Sequence, residues 1–181
     1  MSAEQELIGR CARGDELAFA ELVERHKVMV FTIALRMLRD HSAAEDLAQE
    51  VFLRVYRSLP AFRGEAKLST WIYQIAYRVC LEELQKPYRR QHYVSLDAGA
   101  GELQVTDPGP AGVDLNQTLD FYLGQLPPHY RMALTLYYLQ DRKYEEIAAV
   151  MELPIGTVKT YLHRAKAWLR EHVVEERLRD D

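Results

Sequence analysis

The stretch PIGTVKTYLHRAKAWLR, residues 154–170, contains five basic or potentially basic side chains and no acidic one. The chain as a whole is acidic, since its 181 residues carry a formal net charge of −4 at pH 7. Lysine and arginine neutralise backbone phosphates, and arginine and short polar side chains hydrogen-bond base edges. The stretch therefore indicates a nucleic-acid contact, and a merely solvated basic helix face is the alternative.

The residues around this stretch decide between the two interpretations. The pattern predicts a short helix over Tyr144–Met151, a turn over Glu152–Gly156 and a longer helix from about Thr157. Pro154 and Gly156 are typical turn residues. Two helices joined in this way form a helix-turn-helix, whose second helix lies in the major groove of DNA. The bihelical pattern therefore favours DNA binding.

Placed at 100° per residue, the second helix has two distinct faces. One is the predicted core face, formed by Val158, Leu162, Ala165 and Leu169. The opposite face and its flanks carry Lys159, Thr160, His163, Arg164, Lys166 and Ala167. The small side chains permit close approach to DNA, and the cations neutralise phosphates although the whole chain is acidic.

Up to about residue 92 the apolar residues recur with helical spacing. Asp15 is a predicted N-cap, and Ser42 with Glu45 has the spacing of a capping box at the start of the next helix. The segment between these caps is predicted to bury Leu22, Val23, Val30, Phe31, Ala34, Leu35 and Leu38. After the loop PAFRGEAK, a further helix is predicted over Leu68–Gln85.

The helix that follows Ser42 has an acidic outer sector. It is predicted to bury Leu47, Ala48, Val51, Val55 and Leu59, and to expose Asp46, Gln49, Glu50, Leu53 and Arg57. An exposed Leu53 ringed by acids indicates a protein partner with a basic surface, and ordinary solvation of the face is the alternative. No Glu-x-x-His pair accompanies the carboxylates, so no metal site is predicted.

The fourth helix combines aromatic and cationic residues. Its predicted core face is Leu68, Ile72, Ile75, Ala76 and Val79. Tyr73, Tyr77 and Leu81 are predicted to project from the other side, near Gln74 and Arg78. Exposed aromatics beside a cation suit stacking on unpaired bases. The alternative is that the two tyrosines close an interface within the molecule or with a partner.

The composition and the position of a Gly- and Pro-rich segment indicate the fold class and the domain organisation. With 48% hydrophobic and 28% charged residues the chain is typical of globular proteins. Between Tyr93 and Asp114 the pattern dissolves into Gly, Ala, Pro and Asp, which indicates a linker. The sequence therefore predicts an all-α protein, with a helical domain over residues 1–92, a flexible linker over 93–114 and a helix-turn-helix domain over 115–181.

Several classes of protein and site are not expected. No apolar run reaches the roughly 18 residues of a membrane span, and the start MSAEQELIGR lacks the apolar core of a secretory signal, so the chain is expected in the cytoplasm. Cys11 and Cys80 are expected to be buried, without a disulfide or a zinc site. No cofactor is expected.

Three motifs together resemble one family. AEDLAQEVFLRVYR, FRGEAKLSTWIYQIAYRVCLEEL and LPPHYRMALTLYYLQDRKYEEIAAVMELPIGTVKTYLHRAKAWL follow one another as in extracytoplasmic-function (ECF) sigma factors, the smallest class of bacterial transcription initiation factors. The resemblance covers roughly residues 5–90 and 115–172. It implies a region 2-like helical bundle followed by a region 4-like helix-turn-helix. It implies no catalytic residue, because RNA polymerase performs the chemistry.

For the first domain the resemblance implies two surfaces. Asp46, Gln49 and Glu50, with Leu53 among them, match positions that meet the clamp helices of the polymerase β′ subunit. The loop Phe62–Thr70 matches the segment that captures a flipped base of the −10 element. The expected −10 contacts are Phe62, Arg63, Lys67, Ser69, Thr70, Trp71, Tyr73, Tyr77 and Arg78.

For the second domain the resemblance implies recognition of the −35 element and docking on the polymerase β flap. The recognition positions are Lys159, Thr160, Tyr161 and Arg164, with Thr157, His163 and Lys166 as further contacts. The expected partners are core RNA polymerase, promoter DNA and an anti-sigma factor. The chain has Arg78 and Glu82 where members often have Asn and Asp, and Thr160-Tyr161 where Ser-Arg is common.

Two other classes stand as alternatives. A free-standing helix-turn-helix regulator would bind a palindromic site as a dimer and without polymerase. An enzyme that uses the carboxylates would need a metal, for which the sequence shows no ligand spacing.

Overall fold

A computed structural model describes residues 3–89 and 115–179, and within the second range it describes the side chains of residues 120–172. Every regular element in these ranges is helical, as predicted. The helices are α1 (Ala3–Ala12), α2 (Glu16–Leu38), α3 (His41–Ser58), α4 (Leu68–Leu84), α5 (Leu115–Gln125), α6 (Pro128–Leu134), α7 (Tyr144–Met151) and α8 (Ile155–Arg179). Short 3₁₀ turns follow α3 and α4, at Leu59–Ala61 and Pro87–Arg89.

The chain divides into two compact units: the main boundary along the chain follows Arg89, and Ala149–Glu152 group with the first unit. The predicted linker over 93–114 lies outside the described residues, and its flexibility stays a prediction.

In the first unit, α2, α3 and α4 pack against one another and α1 packs on α2. The predicted core residues of α2 divide into two groups: Leu22, Val30, Ala34 and Leu38 are buried, whereas Val23, Phe31 and Leu35 are half-buried. Ile33 and Met37 are also fully buried, although the sequence pattern did not single them out. The buried sector of α2 is wide because the helix has three neighbours rather than one. Cys11 and Cys80 are buried and free, as expected.

The caps confirm one prediction and correct another. The Asp15 carboxylate accepts the Ala18 N–H at 3.0 Å and caps α2. The N-cap of α3, however, is Asp40 and not Ser42, since the Asp40 carboxylate accepts the Ala43 N–H at 3.0 Å. The start moves because α2 ends at Arg39 in the left-handed conformation, with φ of 57°. The next residue is the first with extended backbone, which an N-cap requires.

In the second unit, α5 and α6 pack against α8. The buried side chains include Tyr122, Leu126, Tyr130, Leu136, Ile147 and Val158. Arg131 also lies in this core, only 2% exposed, and its Nη2 donates to the carbonyl oxygens of Gly124 and Leu126 at 2.9 Å each. The bond to Gly124 satisfies a carbonyl in the last turn of α5, which Pro128, four residues later, cannot serve because proline has no N–H.

The helix-turn-helix has the predicted elements with one change at the turn. The helix over Tyr144–Met151 is confirmed, but α8 begins at Ile155, before the predicted Thr157. The left-handed residue of the turn is Glu152, with φ of 56°, and Gly156 lies inside the first turn of α8. The break comes from Glu152 and Pro154, and Gly156 is not needed for it.

The corrected cap gives a direct stability test. Asp40→Ala removes the side chain that accepts the Ala43 N–H, and we expect it to lower the free energy of unfolding by about 1 kcal/mol. Ser42→Ala is the matched control and should change stability by less than about 0.5 kcal/mol, as for an ordinary surface substitution. Urea unfolding followed by circular dichroism measures both. A larger loss for Ser42→Ala than for Asp40→Ala would show that the cap is misassigned.

Candidate functional site

The outward face of α8 is as predicted. Lys159, Thr160, His163, Arg164 and Lys166 are all exposed. The Thr160 hydroxyl donates to the Gly156 carbonyl oxygen at 2.9 Å, so this side chain is held close to its own helix. The face therefore presents long cationic side chains around short polar ones. In a major groove the short side chains can approach the base edges while the cations reach the phosphates on either side. Thr157, at the start of this face, is half-buried.

The opposite face of α8 fixes the helix in its unit. Val158, Leu162 and Ala165 are buried as predicted. Trp168 is the fourth buried residue, whereas Leu169 is only half-buried. The Trp168 ring meets Tyr122 of α5 edge to face, with 5.8 Å between centroids. The buried face therefore includes Trp168 in place of the predicted Leu169, because α5 packs on the side of α8 that carries Trp168.

Tyr161 lies at the edge between these two faces. Its ring is half-buried and contacts the rings of Tyr130 and His129, with centroid separations of 4.6 Å and 4.7 Å. Most of its contact surface is thus used within the unit, and its role at the recognition position stays a prediction.

The acidic sector of α3 is exposed at Asp46, Gln49 and Leu53, and the Leu53 side chain is 50% exposed. Glu50 differs from the other acids because it is half-buried and accepts from the Arg54 Nε at 2.7 Å. Arg54 also pairs with Glu82 of α4, at 2.7 Å. Hydrogen bonds to Glu82 and Glu50 raise the pKa of Arg54, and the bond from Arg54 lowers the pKa of Glu82. This triad orients Glu50 at the border of the acidic sector.

Two aromatic rings are in contact where the loop before α4 leads into the helix, Phe62 in the loop and Trp71 in the first turn of α4. The Phe62 and Trp71 centroids lie 4.8 Å apart with a 40° angle between planes, and both rings are half-buried. Gly64 has a backbone φ of 72°, a conformation that residues other than glycine rarely adopt. Arg63 and Lys67 are exposed. The loop and the start of α4 therefore present an aromatic pair, with two cations between its members along the sequence.

The prediction that Tyr73 and Tyr77 project from α4 was wrong. They are 3% and 7% exposed, Thr70 is 7% exposed, and Leu81 is half-buried. The buried sector of α4 covers about half of its circumference, because the helix packs on both α2 and α3. Of the predicted contacts on the helix itself, Ser69 and Trp71 are half-buried and Arg78 is exposed.

Comparisons with known proteins cover both units. Residues 22–90 match Sigma-70 region 2, and residues 116–169 match Sigma-70, region 4. The chain is similar to the ECF RNA polymerase sigma factor SigW of Bacillus subtilis, with 30% identity over 92% of this chain and 94% of that protein. It is 33% identical to the ECF RNA polymerase sigma-E factor of Escherichia coli, over 90% of each chain. The chain belongs to the ECF sigma factors.

Solved structures show the same fold. CnrH, in a complex with the cytosolic domain of CnrY, superposes with a TM-score of 0.70 at 21% identity, over 94% of this chain and 96% of CnrH. The sigma factor RpoE of Bartonella quintana, in a complex with the anti-sigma factor NepR, gives a TM-score of 0.65 at 22% identity, over 87% and 96% of the two chains.

Membership settles the general activity. As an ECF sigma factor the chain binds core RNA polymerase and directs initiation at specific promoters. The alternative of a free-standing dimeric regulator is not favoured, because the relatives match across both units and not only across the helix-turn-helix.

Two features of this sigma factor were missed by the sequence analysis. The first is the Glu50–Arg54–Glu82 triad, for which the i,i+4 spacing of Glu50 and Arg54 was an available signal. The second is a group of tyrosines beside the lysines of α8: the Lys159 Nζ lies 5.8 Å from the Tyr144 centroid, and the Lys166 Nζ lies 5.5 Å from that of Tyr138.

Two kinds of feature are absent from the described residues of the sigma factor. Among those residues no group of three or more His, Cys, Asp or Glu side chains is placed to hold a metal ion. None of the described helices combines the length and the apolar character that crossing a membrane requires.

Proposed function

We propose that the two units divide the work of promoter recognition. The first unit, over the predicted residues 1–92, binds the clamp helices of the β′ subunit and opens the −10 element. The second, over 115–181, reads the −35 element from the major groove and docks on the β flap. The chain between them, 93–114, connects the two sites. The chain itself carries out no catalysis, and we place its action in the cytoplasm, where the promoter DNA is.

The single observation that carries this proposal is the division of α8 into two faces. Val158, Leu162 and Ala165 are buried, while Lys159, His163 and Arg164 are exposed. A basic helix with no packing role could simply be solvated. A helix that is anchored by one face and presents cations on the other meets the requirement for insertion into a groove.

The acidic sector of α3 supports the assignment of the polymerase contact. Asp46 and Gln49 lie about two turns and one turn before the half-exposed Leu53 on the same side of α3, so an apolar side chain has polar neighbours, as where the apolar core of a protein interface meets its polar rim. A partner with a basic surface gains from such a rim chiefly in specificity and association rate. Glu50 contributes less free charge than Asp46, because Arg54 already pairs with it.

For the −10 element we propose a narrower set of contacts than the sequence predicted. Phe62, Arg63, Lys67, Ser69, Trp71 and Arg78 keep at least part of their side chains at the surface. Thr70, Tyr73 and Tyr77 are buried, and we propose that they support α4 instead of touching DNA. An unstacked base needs an aromatic surface and nearby cations, which the Phe62–Trp71 pair and its flanking residues supply.

We also propose that an anti-sigma factor regulates this chain. Two structures with the same fold are complexes, one with the cytosolic domain of CnrY and one with the anti-sigma factor NepR. A protein that covers the Leu53 surface would compete with polymerase for it.

Charge reversal tests the polymerase contact. Asp46→Lys should lower the affinity for core RNA polymerase by about tenfold or more, because it places a like charge against a basic partner. It should also reduce run-off transcription from genomic fragments. Glu24→Lys on α2 is the control with the same charge change, and it should bind as the wild type does. If Asp46→Lys binds core RNA polymerase as tightly as the wild type does, α3 is not part of the interface with polymerase.

Two substitutions on α8 separate base reading from phosphate binding. Arg164→Ala should cost about 1–3 kcal/mol of promoter binding and relax the preference at one position of the −35 element. Lys159→Gln should weaken binding to all sequences alike and reduce the slope of log K against log salt by about 0.9. The measurement is binding of the holoenzyme to a library of upstream sequences over a salt series.

Lys27→Gln on α2 is the charge-matched control for Lys159→Gln and should leave the salt slope unchanged. If Arg164→Ala keeps the sequence preference intact at every position, Arg164 does not read a base.

A further inference from the structure

The end of α6 carries an unusual turn. The backbone of Thr135–Leu139 forms a π-helical turn, a local change that is frequent at functional sites. Leu136 is fully buried there, whereas Tyr138 is 53% exposed. The turn thus brings a tyrosine to the surface two residues after a core residue.

Neighbouring rings fix the position of this tyrosine. The Tyr138 ring meets Tyr137 edge to face at 4.9 Å, and Tyr137 stacks on Tyr144 at 5.4 Å with a 21° angle between planes. A hydrogen bond with Tyr144 raises the pKa of Tyr137, so the two stacked rings are also tied at their hydroxyl groups. Tyr138 is therefore an exposed side chain whose ring is held in place by contact with Tyr137, which in turn stacks on Tyr144.

Lys166 of α8 lies next to Tyr138. Its Nζ is 5.5 Å from the Tyr138 ring centroid, and hydrogen bonding with the Tyr138 hydroxyl raises the pKa of Lys166. An ammonium group has donors only, so Lys166 donates and the Tyr138 oxygen accepts. The hydroxyl hydrogen of Tyr138 stays available for another acceptor. An O–H donor and an N–H⁺ donor thus stand side by side at the surface.

The pair lies on the flank of the face that carries Arg164. Lys159 precedes Lys166 by seven residues, so it lies on the same side of α8 but about 10 Å away along the axis. Lys159 has its own aromatic neighbour, Tyr144.

We propose that Tyr138 and Lys166 together bind one backbone phosphate of the upstream promoter DNA. This inference rests on the assignment of the second unit to the −35 element, and it adds a DNA contact from the π-helical turn after α6, outside the recognition helix. Lys166 supplies the charge, while the Tyr138 hydroxyl orients the ammonium and donates a second hydrogen bond. A phosphate has acceptor oxygens for both donors.

The test uses holoenzyme assembled from the full chain and core RNA polymerase, on a promoter fragment that it transcribes. Single phosphates of the upstream element are replaced in turn by uncharged methylphosphonates, and affinity is measured for the wild type, Tyr138→Phe and Lys166→Gln. Tyr88→Phe, which removes the hydroxyl of an exposed tyrosine in the first unit, is the matched control. Melting curves verify that Tyr138→Phe folds as the wild type does.

We expect Tyr138→Phe to weaken binding by about 3- to 10-fold, the effect of one lost hydrogen bond. Lys166→Gln should reduce the salt slope by about 0.9. Both effects should vanish on DNA that carries the methylphosphonate at one particular position, because the phosphate they share is no longer charged there. Tyr88→Phe should bind as the wild type does at every position.

Three results would overturn the proposal. Unchanged affinity of Tyr138→Phe would show that Tyr138 takes no part. Effects of the two variants that vanish at different phosphates would show two separate contacts. If Lys166→Gln, Lys159→Gln and Arg164→Ala all leave upstream binding unchanged, the assignment of the second unit to the −35 element fails, and the phosphate site fails with it.

Discussion

The activity of the second unit depends on the burial of one face of α8 against α5 and α6. Val158, Leu162 and Ala165 are buried on this face, and beside them the Trp168 ring meets Tyr122 of α5. The polar face of α8 is exposed, whereas Tyr161 at its edge packs its ring on Tyr130. Exposed cations cost little when solvated, so the unit can carry a row of exposed basic side chains in a chain whose net charge is negative.

In the first unit, too, the burial of helix faces determines which side chains are exposed, but here one helix is buried on more than one side. Its helix α4 packs on two neighbours at once, so even tyrosines are drawn into the core. The predicted −10 contacts that stay at least partly at the surface lie in the loop before α4 and at Ser69, Trp71 and Arg78. On α3 the acids are not equivalent, because Arg54 ties Glu50 to Glu82 and leaves Asp46 as the exposed charge beside Leu53. Packing thus decides which residues of a charged sequence can meet a partner.

Features set by local sequence were predictable, and features set by neighbours were not. The helix over Tyr144–Met151 and the cap at Asp15 follow from patterns within a few residues, and both are present. The cap of α3 moved to Asp40 because its place depends on where α2 ends. Tyr73 and Tyr77 were misplaced because a helical wheel assumes one buried face. The π turn that exposes Tyr138 was not predicted, because no periodic pattern in the sequence marks a change in the backbone hydrogen bonding of a helix.

The most direct test of the account places a photo-crosslinking amino acid at position 163, in the middle of the exposed face of α8, in a chain assembled with core polymerase on promoter DNA. The account predicts a crosslink to the upstream duplex near −35, and none from position 28, an exposed valine of α2 in the first unit. A crosslink from position 163 to polymerase or to the −10 region, with none to the upstream duplex, would contradict it.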